Sequence, residues 1–240
     1  VMAQIVYYFT AAVSLGGPAR PVSFSVPSGN FGDVYAGYAA SRMGLPVEQL
    51  IVATNRNDIL SRFFNSGEYR KAGGDPTISP SMDIQVSSNF ERYLADLYGR
   101  DGAAVSELMA RLDSDGGFVI DRLRLNDSLF AAGKCGEAET IETIRRTFEE
   151  TGTLVDPHTA VGLFAGQNCR KDSHIPLVTL STAHPAKFPD AVEKATGERP
   201  ALPKHMSDLF AREERFAQLP NDIETVKSYI RERARILAPH

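Results

Sequence analysis

The sequence predicts an α/β protein built on an open, mainly parallel sheet, with a mainly helical insertion and a helical C-terminal tail. Three observations carry that expectation. Apolar, β-branched runs alternate with segments of helical spacing: "PVSFSVP" (21–27), Val34–Met43, then "LIVATN" (50–55). The link from that helix to the next strand is short, Gly44-Leu45-Pro46, which makes the unit a right-handed parallel crossover. A third buried strand, "IPLVTLS" (175–181), follows much later, so the chain leaves the sheet and returns to it.

The elements follow in order. Residues 2–15 read as a buried helix stopped by Gly16-Gly17-Pro18. The run they belong to, "VMAQIVYYFTAAVSL", is short for a membrane span and contains Gln4. Its pattern opens at Val1 without a Met, an N-cap or a polar lead-in, and reads as a piece of a longer protein. After the second strand comes a helical "DILSRFFNSG", then the turn-rich "AGGDPTISPSMDI" (72–84). Asn89–Tyr98 carries Phe90, Tyr93, Leu94 and Leu97 on one helical face, and Ala103–Leu112 has a similar stripe. "GGFVI" (116–120) reads either as a short edge strand or as an extended linker. Glu137–Thr151 is a charged amphipathic helix with Ile141, Ile144 and Phe148 inward. Another helix starts at "DPHTAVGLFAGQN", with Asp156 as N-cap and Pro157 in the first helical position. From Met206 onward the tail reads as helical, with "REERF" and "RERARIL" as solvated faces. The expected organisation is therefore an α/β region (1–84), a mainly helical insertion (85–150), a return to the sheet (151–200) and a helical tail (201–240).

Composition narrows the class. With 42% hydrophobic and 23% charged residues over 240 positions, the chain has the make-up of a soluble globular protein. A formal charge of −4 gives no electrostatic footprint for nucleic acid. Two cysteines, Cys135 and Cys169, have neither metal-ligand spacing nor a disulfide framework, and a reducing cytoplasm is the expected setting.

Three polar stretches sit just past the apolar strands. In Ser28-Gly29-Asn30-Phe31-Gly32-Asp33, small residues at a strand-to-helix joint leave backbone N–H groups bare and allow φ > 0 at the glycines. The following helix adds its positive end, so the stretch reads as a cradle for a compact phosphate. Neither a dinucleotide fingerprint nor a Walker A loop is present, and a plain glycine-rich turn gives the same pattern. Asp33 places a carboxylate beside the proposed dianion, or caps the helix. "STAHPAKF" (181–188) ends the third strand, where Ser181, Thr182, His184 and Lys187 face the crevice of an open sheet or bond their own backbone. "NRNDIL" (55–60) offers Arg56 for bidentate contact with an anion, and Asn57 or Asp58 as helix caps. For His158 and His184 individually, the structural role is the simpler reading, and no spacing asks for a metal.

Taken together, "VPSGNFGDVYAGYAASRMGLP", "VATNRNDIL", "SPSMDIQVSSNFERYL", "DPHTAVG" and "STAHPAKF" resemble the threonine synthase family over most of residues 1–190. The resemblance implies a three-layer type II pyridoxal-phosphate fold. It implies that Ser28, Gly29, Asn30, Phe31, Gly32 and Asp33 hold the phosphate of pyridoxal 5'-phosphate and that Thr182 meets the pyridine nitrogen; Asp33 matches the longer branch of the family. The implied reaction converts O-phospho-L-homoserine and water into L-threonine and phosphate. Arg56, Asn57, Ser79, Ser81 and Lys187 are proposed for the substrate phosphate, and His158 and His184 for the pocket lining. The family's Schiff-base lysine lies upstream of the glycine-rich loop, and residues 1–27 contain no lysine, so it is expected ahead of Val1 and the 240 residues alone are not expected to be active. Lys71, Lys134, Lys171, Lys187, Lys194, Lys204 and Lys227 stand in other contexts. Two alternatives remain open: a threonine-synthase-like phospholyase that eliminates without rehydration, and a non-catalytic helical interaction module. No nucleic-acid or membrane partner is expected; monomer and homodimer are both open.

Overall fold

The six residues of "VSFSVP" form β1 (Val22–Pro27), all of them buried. Ahead of it lies α1 (Met2–Ser14), and after it come α2 (Gly32–Arg42) and β2 (Val47–Thr54). β1 and β2 pair in parallel, with Phe24 opposite Leu50 and Val26 opposite Val52. This is a computed structural model describing residues 1–125 and 129–234. It divides into a first unit, Val1–Ala201, and a second beginning at Leu202.

Beyond β2 the first unit continues through α3 (Ile59–Ser66), β3 (Glu68–Arg70), α4 (Phe90–Leu97), α5 (Gly102–Ser114), β4 (Gly117–Val119) and β5 (Phe130–Lys134). It closes with α6 (Glu137–Thr151), α7 (Pro157–Cys169), β6 (Leu177–Thr179) and α8 (Pro189–Thr196). The main sheet has the order β5-β2-β1-β6, and each of its pairings is parallel. β3 and β4 form a separate antiparallel pair, which settles "GGFVI" as a strand at 117–119.

A parallel sheet must be covered on both faces, and alternate residues of each strand serve different faces. Val22, Phe24, Val26, Leu50 and Val52 join the larger core with residues of α1 to α4. Ile51 and Ala53 pack against Val161 and Ala165 of α7 on the opposite face. There Ser25 donates from Oγ to the carbonyl of Gly162 at 2.6 Å, so the helix backbone lies against the sheet.

Three expectations are revised. The stretch 85–150, although mainly helical, gives β5 to the main sheet, and residues 126–128 of it lie outside the described part. β6 is half-buried, because a three-residue edge strand has a neighbour on one side only. Among its described residues the tail unit holds one longer helix, α9 (Ile223–Arg233), preceded by two single 3₁₀ turns, with residues 212–222 outside any helix. "REERFAQLPND" lacks an apolar stripe that would repay helix formation. Residues 235–240 of the expected tail lie outside the described part. Among the described residues no helix is long and apolar enough to cross a membrane.

Candidate active site

β1 is the strand at which the sheet reverses. The chain runs outward from it through β2 to β5, then comes back to its other side as β6. Ligands of open parallel sheets sit at such a reversal, outside the carboxyl ends of the strands. Ser28 follows β1 directly, and Thr182 lies just past β6.

Residues 28–33 form a turn that uses two of its own donors. The Phe31 amide donates to Ser28 Oγ at 3.0 Å, and the Gly32 amide donates to Asn30 Oδ1 at 2.8 Å. The amides of Gly29, Asn30 and Asp33 donate to no protein acceptor among the described residues. The positive φ falls on Phe31, at +65°, and not on either glycine. Left-handed backbone costs about 1 kcal/mol for such a residue. Aromatic packing fixes it there: the fully buried Phe31 ring stacks on Phe64 at 5.8 Å and meets Phe90 edge-on at 5.3 Å. Gly29 answers a different need. A Cβ on it would stand 2.9 Å from Met82 Cα and 3.0 Å from the Ser81 carbonyl oxygen, so the 28–33 turn and the Pro80–Met82 turn touch backbone to backbone.

Two adjoining clefts open at this edge. The smaller, about 140 Å³, is bordered by Ser28, Gly29, Asn30, Ser81, His158 and Lys187. The larger, about 700 Å³, is bordered by Gln4, Tyr7, Thr10 and Ser14 of α1 and by Ser181. Asp33 and Thr182 border both. The Asp33 side chain does not cap α2. Gln4 Nε2 and the Tyr7 hydroxyl donate to its Oδ1, and the Tyr8 hydroxyl donates to its carbonyl at 2.6 Å. Partial burial, then this bond and the charge of Asp33, push the Tyr7 phenol well above its usual value. The carboxylate is thus held by α1.

The substrate-side residues proposed from sequence separate into two groups. Ser81 and Lys187 border the small cleft. Arg56, Asn57 and Ser79 do not. Arg56 pairs at the surface with Asp75 at 2.9 Å. Asn57 and Ser79 belong to a network centred on Asp83, whose carboxylate accepts from Asn55 Nδ2 (2.7 Å), Asn57 Nδ2 (3.0 Å), the Thr77 amide (2.8 Å) and Thr77 Oγ1 (2.7 Å). Asn55 Nδ2 also donates to Ser79 Oγ at 3.0 Å. Buried amide and hydroxyl groups need such partners, and this cluster spends them on tying the loop after β2 to the "TISPSMD" turn.

The histidines differ in role. His184 accepts the Ala186 amide on Nδ1 at 3.1 Å and caps its own turn. His158 is buried at the start of α7: its Nδ1 bonds Asp156 Oδ1 at 2.8 Å and its Nε2 accepts the Ser81 amide at 3.2 Å. Asp156 is fully buried and also accepts from the amides of His158 and Thr159, as an N-cap should. Burial opposes its ionisation, but the bonds from His158 and Thr159 outweigh that and hold the carboxyl below its usual value. The sequence signals the cap; nothing in it signals the contact between residues 158 and 81.

Known proteins resemble this chain in sequence and fold. The family model described as "Threonine synthase, C-terminal" matches residues 159–230. Threonine synthase of Pseudomonas aeruginosa is 54% identical over 96% of this chain and 50% of its own length. That of Corynebacterium glutamicum is 41% identical over 96% of the chain and 50% of its length. The crystal structure of pyridoxal-phosphate-bound threonine synthase from Brucella melitensis superimposes with a TM-score of 0.89 at 52% identity, covering 97% of this chain and 50% of that one. The chain spans about half the length of these relatives. Across the half of these relatives that it spans, the chain matches threonine synthases in both sequence and fold.

Proposed function

We propose that this chain supplies the phosphate-holding and ring-facing side of a pyridoxal 5'-phosphate site, in an enzyme that converts O-phospho-L-homoserine and water into L-threonine and phosphate. The observation that carries the reading is the pair of clefts at the reversal of the sheet, joined through Asp33 and Thr182. The residues fit the cofactor. The smaller cleft has the scale of a phosphate group and is bordered by amides without protein acceptors, at a turn where Gly29 leaves no room for a Cβ. Such amides, in front of a helix, complement a dianion. Thr182 is exposed and borders both clefts, which supports a role for it facing the heterocycle.

When bound, pyridoxal phosphate supplies the electron sink for bond-making and bond-breaking at Cα, Cβ and Cγ of the substrate. The chain's residues bind and orient. Gly29, Asn30 and Asp33 offer their amides to the cofactor phosphate. The Thr182 hydroxyl is neutral, so unlike a carboxylate it does not hold a proton on the pyridine nitrogen, which suits elimination and replacement at Cβ and Cγ. Ser81 and Lys187 border the same small cleft, where the lysine stands as a point charge beside the cofactor phosphate. Asn57 and Ser79 tie the loop after β2 to the turn that carries Ser81.

The test is product analysis. Full-length protein loaded with pyridoxal phosphate and given O-phospho-L-homoserine is expected to release threonine and phosphate in equal amounts. Release of 2-oxobutyrate in place of threonine would assign the protein to the phospholyases.

A further inference from the structure

We propose that His158 is a positioning residue for the phosphate-binding turn, acting through the Ser81 amide. The proposal rests on the reading of residues 28–33 given above and extends it to a side chain outside that loop.

Both ring nitrogens of His158 are committed. Nε2 accepts the Ser81 N–H at 3.2 Å, so it carries no proton, and Nδ1 must then carry the hydrogen donated to Asp156 at 2.8 Å. Asp156 fixes that tautomer. It is fully buried, holds the α7 N-terminus through two amides and has no freedom to turn away. A rigid chain therefore runs from the helix through Asp156 and His158 to the Ser81 amide. The Phe188 ring, 4.6 Å from the imidazole centroid, packs beside it.

The far end of the chain is the backbone contact already described. Ser81 and Met82 lie directly against Gly29, at 3.0 and 2.9 Å respectively from a hypothetical Cβ. Releasing the Ser81 amide lets the Pro80–Met82 turn shift, and Gly29 has no side chain to absorb the movement. The amide of Gly29 moves with it. A cradle that binds by backbone N–H groups depends on their positions to a fraction of an ångström. His158 thus sets the geometry of the phosphate cradle while its own nitrogens are occupied elsewhere.

Two substitutions separate the contacts. His158→Gln can offer Oε1 where Nε2 stood and keep an acceptor for Ser81. His158→Asn can reach Asp156 but leaves the Ser81 amide without a partner. Affinities of the full-length apoprotein for pyridoxal 5'-phosphate and for phosphate-free pyridoxal are measured by absorbance titration. His158→Asn is expected to weaken binding of the phosphorylated compound by about tenfold, the scale of one lost hydrogen bond at a part-buried amide. His158→Gln should stay within about threefold, and pyridoxal affinity should be alike in all three proteins.

Unchanged binding of the phosphorylated compound by His158→Asn overturns the proposal, as does an equal loss for both compounds. A greater loss in His158→Gln than in His158→Asn would mean that the imidazole touches the ligand itself, and overturns it too. Wild-type protein that binds pyridoxal as tightly as its phosphate would instead refute the phosphate reading of residues 28–33. Should His158→Asn fail to fold, nitrogen-15 NMR of wild-type histidine decides. A proton on Nδ1 and none on Nε2 of His158 is expected, and the reverse tautomer rejects the proposal.

Discussion

Asp156 shows how much one buried carboxylate does here. It caps α7, orients His158 and accepts the Thr159 hydroxyl while shut off from water. Its folded-state pKa lies below the ordinary 3.8 of the unfolded chain, despite burial, because His158 and Thr159 donate to the charged form. The sign of the linkage follows. Its stabilisation is complete above the unfolded value and is lost as pH falls through the lower folded one. Asp156→Asn is therefore expected to cost about 1–3 kcal/mol near neutrality. The gap to wild type should shrink below pH 4, as read from urea midpoints over a pH series, and a gap that persists unchanged at low pH would refute the assignment. At this scale the sequence was informative wherever the relevant bond is local. The Asp156 cap and the Ser28–Asp33 turn close within three residues. Arg56, Asn57 and Ser79 lie away from the clefts because their side chains meet partners 18 to 26 positions away, such as Asp75, Asp83 and Asn55, and no periodicity encodes that.

Elements were legible in proportion to their apolar pattern. α1 to α6 lie where helical spacing put them, because each presents apolar residues to a core, and α7 lies where its Asp156–Pro157 start put it. β5 was missed: "FAAGK" has two alanines and a glycine and neither the branching nor the alternation of a strand. Tertiary context makes it one, since Leu50–Thr54 of β2 offers an open edge along Phe130–Lys134. The closest approach of α7 to the sheet was equally silent, as it is made at glycines. A Cβ on Gly162 would stand 2.7 Å from Pro27 Cγ and 2.8 Å from Thr179 Cγ2, atoms of β1 and β6. Gly162→Val should thus force α7 off the strands that carry Ser28 and Thr182. The expected loss is about 1–3 kcal/mol from overpacking, seen as a lower Tm. Cofactor affinity should weaken alongside, because both strand ends move. Wild-type Tm in this variant would mean that α7 does not lie as close as described.

At the scale of the molecule, the fold puts one lysine beside the clefts, and its role must be told apart from that of the lysine the chemistry requires. Lys187 borders the smaller cleft, 5.7 Å from the centroid of the Phe188 ring, and its ammonium has no carboxylate partner among the described residues. An unpaired cation beside a phosphate-sized space is suited to a phosphate. A lysine that forms a covalent link and shuttles protons must instead spend time uncharged, which a desolvated site favours and an exposed one does not. Lys187 is exposed. The family resemblance places the linking lysine upstream of the glycine-rich loop, and residues 1–27 have none. The two roles make opposite forecasts. If Lys187 binds phosphate, borohydride reduction of the loaded full-length protein followed by peptide mapping should label a lysine outside these 240 residues. Lys187→Ala should keep that label while weakening affinity for pyridoxal phosphate by about tenfold or more, the scale of one charge-assisted bond. If label appears on Lys187, or its removal abolishes labelling, the cleft at residues 28–33 holds the reacting end of the cofactor, and its phosphate must lie elsewhere.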